Sequence, residues 1–178
     1  MSASEASLEA ADGKTVLADW IERHGPSVYG FLRARVRDPN QTDDLFQETF
    51  TRALRAFRSY RDEGKPRAFL LKIADRLIAE KFRRRKREGA LDAEAEQELA
   101  AAESGPVRKA SRSEARARLE QELDALTEDQ RRVLLLRFYG DMTFAEISRI
   151  LEQPLGTVLS HSRRGLAALK KRMAENPL

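Results

Sequence analysis

Apolar residues recur at helical spacing along most of the chain, which predicts an all-α fold. From Lys14 to Arg37 the apolar positions are Val16, Leu17, Trp20, Ile21, Val28, Phe31, Leu32 and Val36. Gly25-Pro26 inside this run is expected to bend or split the helix. Asp38-Pro39-Asn40 ends it and opens the next helix, Gln41 to about Ser59, where Phe46, Phe50, Ala53 and Phe57 face a core. Tyr60 to Pro66 reads as a loop carrying an exposed aromatic. Pro66 suits the first turn of a third helix running to about Arg87, with Leu70, Ile73, Ala74 and Leu77 buried.

The pattern then lapses. Residues 88–113 are rich in Ala and Glu, with Ser-Gly-Pro at 104–106, and read as a linker with at most a transient helix near 91–102. Residues 1–14, rich in Ser, Ala and Glu, read as a disordered lead. Two small helical domains remain, 15–87 and 114–174. In the second, Leu119, Leu123 and Leu126 repeat at helical intervals. Thr127 and Gln130 form a capping box ahead of Val133, Leu134, Leu136 and Phe138, and Gly140 stands where a C-terminal glycine is expected.

Thr143 and Glu146 make a second capping box, and Phe144, Ile147, Ile150 and Leu151 give the helix that follows an apolar face. Gln153-Pro154 breaks the run before a last helix. Its inner face is assigned to Val158, Ser162, Leu166 and Leu169, and its outer face to Thr157, Ser160, His161 and Arg164. Two short helices with a tight break and an outer face that is small, then basic, suit a helix entering the DNA major groove. The same pattern fits a solvated helix of an ordinary bundle, and this stretch alone does not decide between them.

Composition narrows the choice. The 178-residue chain carries a formal charge of +4 and a sequence pI near 9.6, which suits a polyanionic partner. It has no cysteine and two histidines, His24 and His161, so disulfides, thiol chemistry and the usual zinc sites are not expected. No apolar run approaches the ~20 residues of a membrane span, and the N-terminus lacks an export signal's apolar core. A cytoplasmic protein without membrane insertion, cofactor, metal or catalytic residue is the expectation.

Two surface patterns need explaining. On the second helix Asp44, Gln47, Glu48 and Thr51 form a polar, acidic stripe. The helix dipole accounts for acids in a first turn, hence for Asp43 and Asp44, but Glu48 lies beyond it. On the third helix Lys72, Arg76 and Arg83 share a face that leads into KFRRRKR, residues 81–87. Such a run can be simply a solvated helix end. Beside an aromatic loop it better matches nucleic acid, since cations follow phosphates and a ring offers a stacking platform.

DDLFQETFTRALRAFRSYR (43–61), FLLKIADRLIAEKFRRRKR (69–87) and the segment from Leu123 to Leu169 together resemble bacterial RNA polymerase sigma factors of the sigma-70 family. The likeness is to the compact extracytoplasmic-function group, with region two in the first two segments and region four in the third. It implies core RNA polymerase and promoter DNA, both duplex and single-stranded, as partners; an anti-sigma factor is the further partner it allows. Asp43, Asp44, Gln47, Glu48 and Thr51 would meet the polymerase clamp. Tyr60, Arg61, Lys65, Arg67, Lys72, Arg76, Arg83 and Arg84 would hold the minus-ten element, with Tyr60 and Arg61 in the base-capturing loop. Thr157, Ser160, His161, Arg163 and Arg164 would face the minus-thirty-five element. The sequence departs from the family at Phe69, where Trp is common, at Asp75-Arg76, where Arg-Asn is common, and at Leu159 and His161, where cations are frequent.

Other readings remain. A conventional helix-turn-helix regulator would bind duplex DNA unaided, but has no use for the DLFQE stripe and the aromatic loop. An enzyme is disfavoured by the lack of a ligand set, nucleophile motif or phosphate loop. A plain helical scaffold is what remains if all three fail.

Overall fold

A computed structural model of the chain describes residues 3–36, 38–57, 60, 64–88, 119 and 121–175, the side chains of 3–12, 14, 86 and 88 aside. The described residues form helices and no strand. The chain divides into two compact units, 1–102 and 103–178. Apart from Glu88, which ends a helix, the predicted linker lies outside the described residues, as do the first residues of the second predicted domain.

The first unit packs three helices, each against the other two: α1 (Ala3–Val36), α2 (Pro39–Ala56) and α3 (Pro66–Glu88). Helix α1 starts at Ala3, within the stretch predicted to be a disordered lead. Ala, Leu and Glu there are strong helix formers, which a compositional case for disorder undervalues. Pro26 sits inside α1 without splitting it. Pro39 takes the first position of α2, and the Asp38 carboxylate accepts from the Asn40 N–H at 2.9 Å and the Gln41 N–H at 3.4 Å. The helix therefore begins two residues ahead of Gln41, and Asp43 and Asp44 lie past its first turn. The dipole no longer accounts for them.

The core of this unit is Leu17, Trp20, Val28, Phe31, Leu32 and Val36 from α1, with Leu45, Phe50 and Ala53 from α2 and Leu70, Leu71, Ala74, Leu77 and Ile78 from α3. Two threonines, Thr42 and Thr49, are fully buried on α2. Their hydroxyls donate to the carbonyls of Asp38 at 2.7 Å and Leu45 at 2.6 Å, so burial leaves no donor unmet. Apolar spacing does not reveal such positions. Across the unit Arg35 meets Asp75 at 3.5 Å, both side chains almost wholly buried. The guanidinium also lies 5.9 Å from the Phe31 ring centroid.

The second unit packs α4 (Glu128–Gly140), α5 (Phe144–Leu151) and α6 (Leu155–Glu175). Both predicted capping boxes are formed, at Thr127/Gln130 and Thr143/Glu146. The closing residues differ from expectation. Gly140 is the buried last residue of α4, and Asp141 takes the left-handed conformation at φ 51°. Glu152 does the same after α5, at φ 55°. An Asp or Glu tolerates this region at some cost.

The face of α6 is also rotated from the predicted one. Val158, Ser162 and Gly165 are buried, whereas Leu166 is 56% exposed and Leu169 half-buried. A Cβ on Gly165 would stand 3.0 Å from Leu134 Cδ1 and 3.3 Å from Gln130 Cβ, so a glycine is what lets α6 lie this close to α4. On α4 the buried set is Val133, Leu135 and Leu136, and Phe138, predicted as apolar packing, is 76% exposed.

Candidate functional site

The acidic stripe is a consequence of α2 burying Thr42, Leu45, Thr49 and Phe50. The opposite side then carries Asp43, Asp44, Gln47 and Thr51, all exposed, with Glu48 half-exposed beside them. Two of these are held in place. The Tyr29 hydroxyl donates to Asp43 at 3.0 Å. Glu48 accepts from Arg52 Nε at 2.8 Å, and the same guanidinium reaches Glu80 of α3 at 2.8 Å. Hydrogen bonds donated to Glu48 and then to Glu80 raise the Arg52 pKa further, so this cation does not titrate.

The basic stripe lies on α3. Arg76, Arg83 and Arg84 are exposed, as is Lys65 before the helix, while Lys72 and Arg67 are half-buried. Burial lowers the Lys81 pKa, with Arg85 adding to the effect, and Arg83, Arg84, Arg85 and Arg87 of the cluster are exposed. Tyr60 is not the exposed aromatic that was predicted. Its ring packs edge-on to Trp20 at 5.1 Å and lies 4.5 Å from Phe69, in a cluster that also includes Phe57. Packing in this cluster leaves Tyr60 half-buried. Arg61 lies outside the described residues. Asp75, one of the family departures, is spent on Arg35 and unavailable to DNA.

In the second unit the turn between α5 and α6 is tightly bonded. The Ser148 hydroxyl donates to the Gln153 carbonyl at 2.6 Å, and the Pro154 carbonyl accepts from the N–H groups of Thr157 and Val158. Arg163 and Arg164 are exposed on α6, and Thr157 and Ser160 are half-buried. Arg164 Nε donates to the Ser160 carbonyl at 3.3 Å. His161 departs from its predicted place on the outer face. Its side chain is only 17% exposed, with Nε2 4.0 Å from Asp129 of α4, whose carboxylate also accepts from Gln153 at 3.3 Å. The cause is non-local: α4 brings an acid to the flank of α6.

Sequence reasoning missed three contributors. Arg52 and Glu80 brace the acidic stripe, and Asp129 turns His161 inward. The i,i+4 spacing of Glu48 and Arg52 signals the first of these. Nothing local signals the others.

The sigma-70 region 2 family model matches residues 20–88, and the sigma-70 region 4 model matches residues 116–169. The chain belongs to the sigma-70 family. Curated relatives place it in the extracytoplasmic-function (ECF) group. ECF RNA polymerase sigma factor SigD of Mycobacterium tuberculosis is 31% identical over 165 residues, 90% of this chain and 78% of that protein. ECF RNA polymerase sigma factor SigX of Bacillus subtilis is 30% identical over 151 residues, 82% of this chain and 77% of that protein.

Solved structures share the fold. The sigma factor RpoE from Bartonella quintana, in complex with the anti-sigma factor NepR, superposes with a TM-score of 0.74 at 19% identity, covering 90% of this chain and 98% of that one. CnrH, in complex with the cytosolic domain of CnrY, gives 0.68 at 21% identity, covering 97% and 96%. This ECF sigma factor therefore acts in transcription initiation, and the reading as a self-sufficient helix-turn-helix regulator is not favoured. Among the described residues no helix is long and apolar enough to cross a membrane, and no group of side chains could hold a metal ion.

Proposed function

We propose that this ECF sigma factor works in the cytoplasm as a dissociable, non-enzymatic subunit, docking on core RNA polymerase through α2 and contacting promoter DNA through α3 and α6. The observation that carries this reading is the opposition on α2 of a buried apolar and threonine face to an exposed face of Asp43, Asp44, Gln47, Glu48 and Thr51. A stripe so free of apolar side chains suits a basic or amide-rich protein surface.

Lys65, Arg67, Lys72, Arg76, Arg83 and Arg84 supply phosphate contacts at the minus-ten element, and Tyr60 and Arg61 serve the same element. Of these, Arg76, Arg83 and Arg84 are the exposed cations of α3. Thr157, Ser160, Arg163 and Arg164 serve the minus-thirty-five element. His161 contributes to that surface by its packing against Asp129 rather than by its ring. Exposed Phe138 and Leu166 supply apolar area for the polymerase contact of the second unit. An anti-sigma factor is the regulatory partner to expect, because the similar sigma factor RpoE is seen in complex with the anti-sigma factor NepR.

Two modules on one chain each bind weakly, and polymerase sets their spacing, so the free protein should bind promoters poorly. The test is pull-down and runoff transcription with core polymerase. Glu48→Lys is expected to weaken core binding about tenfold while the chain stays folded. Arg164→Ala should reduce transcription that depends on the minus-thirty-five element more than core binding. Unchanged core affinity in Glu48→Lys refutes the docking assignment, and tight promoter footprints from the isolated chain refute the reading as a polymerase subunit.

A further inference from the structure

The first turns of α6 expose more than polar groups. Leu155 and Leu159 are each 44% exposed, and Gly156 is exposed, with open space where its Cβ would be. Leu159 has Gly156 one turn before it and Arg163 one turn after it on the same side of the helix. This is an apolar side chain between a notch and a cation, at the end of a recognition helix that enters a groove first. The basic residues Arg163 and Arg164 beside it give the face the charge that phosphates require.

We propose that Leu159 is a specificity-determining residue that reads thymine, by contact with its 5-methyl group, in the duplex element bound by α6. The inference rests on the placement of α6 at the minus-thirty-five element. In the major groove thymine alone among the four bases presents an apolar group, the C5 methyl. Against any other base edge a leucine covers donors or acceptors without replacing their hydrogen bonds, which is unfavourable. The missing side chain at Gly156 lets the backbone approach, and Arg163 anchors the flanking phosphate. Leu166 and Met173 continue the apolar line about 10 Å and about 21 Å further along the axis, beyond the turns that meet base edges, and so belong to protein contacts.

The test uses holoenzyme assembled from core polymerase and the full chain. A minus-thirty-five element is selected from a randomised duplex pool, then rebuilt with deoxyuridine replacing thymidine at one position at a time, which removes only the methyl group. Wild-type holoenzyme should lose about fourfold in promoter occupancy at one or two positions. Leu159→Ala should be about fourfold weaker on the parent element and indifferent to deoxyuridine there. Being exposed, this substitution should leave the melting temperature in place.

Four results overturn the proposal: a wild-type holoenzyme blind to every methyl removed, a Leu159→Ala variant that keeps the deoxyuridine penalty, a selected element without A·T pairs, or a Leu159→Ala variant that loses core binding with its promoter preference intact. The last would make Leu159 a protein-docking residue. A pool from which no sequence is preferred overturns instead the placement of α6 on the minus-thirty-five element. That failure is distinct from a strong preference that ignores the methyl.

Discussion

The two modules solve the same problem, a small helical body that must keep outward-facing groups in place, by different means. The first withdraws charge from water. Arg35 and Asp75 are paired in its interior, Arg52 ties α2 to α3, and four aromatics from α1, α3 and the connection between α2 and α3 interlock. The second relies on close approach and helix ends. It has two capping boxes, two left-handed closing residues and a glycine contact between α4 and α6. Its cross-link between Glu122 and Arg172, at 2.6 Å, joins a buried carboxylate to a half-exposed guanidinium. A buried ion pair is costly to halve, whereas a cap is worth only about 1 kcal/mol. The first module should thus fail abruptly at a few positions and the second by degrees at many.

The sharpest way to break that contrast is Asp75→Ala. It leaves Arg35 charged and buried, which costs about 3–5 kcal/mol. In a thermal scan the transition of the first module should fall by well over 10 °C, with the second unmoved. An unchanged first transition would show that the pair contributes nothing to the fold. Gly165→Val probes the second module. Overpacking against Leu134 and Gln130 should cost about 1–3 kcal/mol and weaken minus-thirty-five-dependent transcription, while core binding through α2 is retained. Glu152→Gly sharpens the comparison from the other side. Relieving φ 55° should stabilise the second module by about 1 kcal/mol, read as a rise in its transition alone.

The smallest effect concerns His24. Burial and then the nearby Arg67 lower its pKa, so the folded state favours the neutral ring. The unfolded chain then binds more protons over the window below the ordinary value of about 6.5. The contribution of His24 is full above that value and is lost as the pH falls through the folded pKa. His24→Asn should reduce the difference in first-module melting temperature between about pH 5.5 and about pH 7.5.

What could be read in advance follows the range of the interactions. Capping boxes at Thr127 and Thr143 are four-residue events, and both formed as predicted. The helices, the division into two bodies and the exposure of Asp44, Gln47 and Thr51 also follow from spacing along single helices. Asp75 reads from the sequence only as a departure from the family, because its partner Arg35 lies 40 residues away. His161 was placed outward because Asp129 reaches it only through the packing of α4 on α6. Gly165 and Leu166 exchanged places because a missing side chain carries no hydrophobic signal, yet it decides which side of α6 can approach α4. Tyr60 was given to the solvent because loops usually are, and Trp20 and Phe69 claimed it.

The Arg52 bridge has an evolutionary consequence. One guanidinium holds a carboxylate on the side proposed for polymerase and another on the helix proposed for DNA. Drift at codon 80 is then felt at codon 48, and lineages that exchange one acid should exchange the arginine or the other acid with it. Two surfaces under selection by different partners would share an epistatic link through a residue that touches neither.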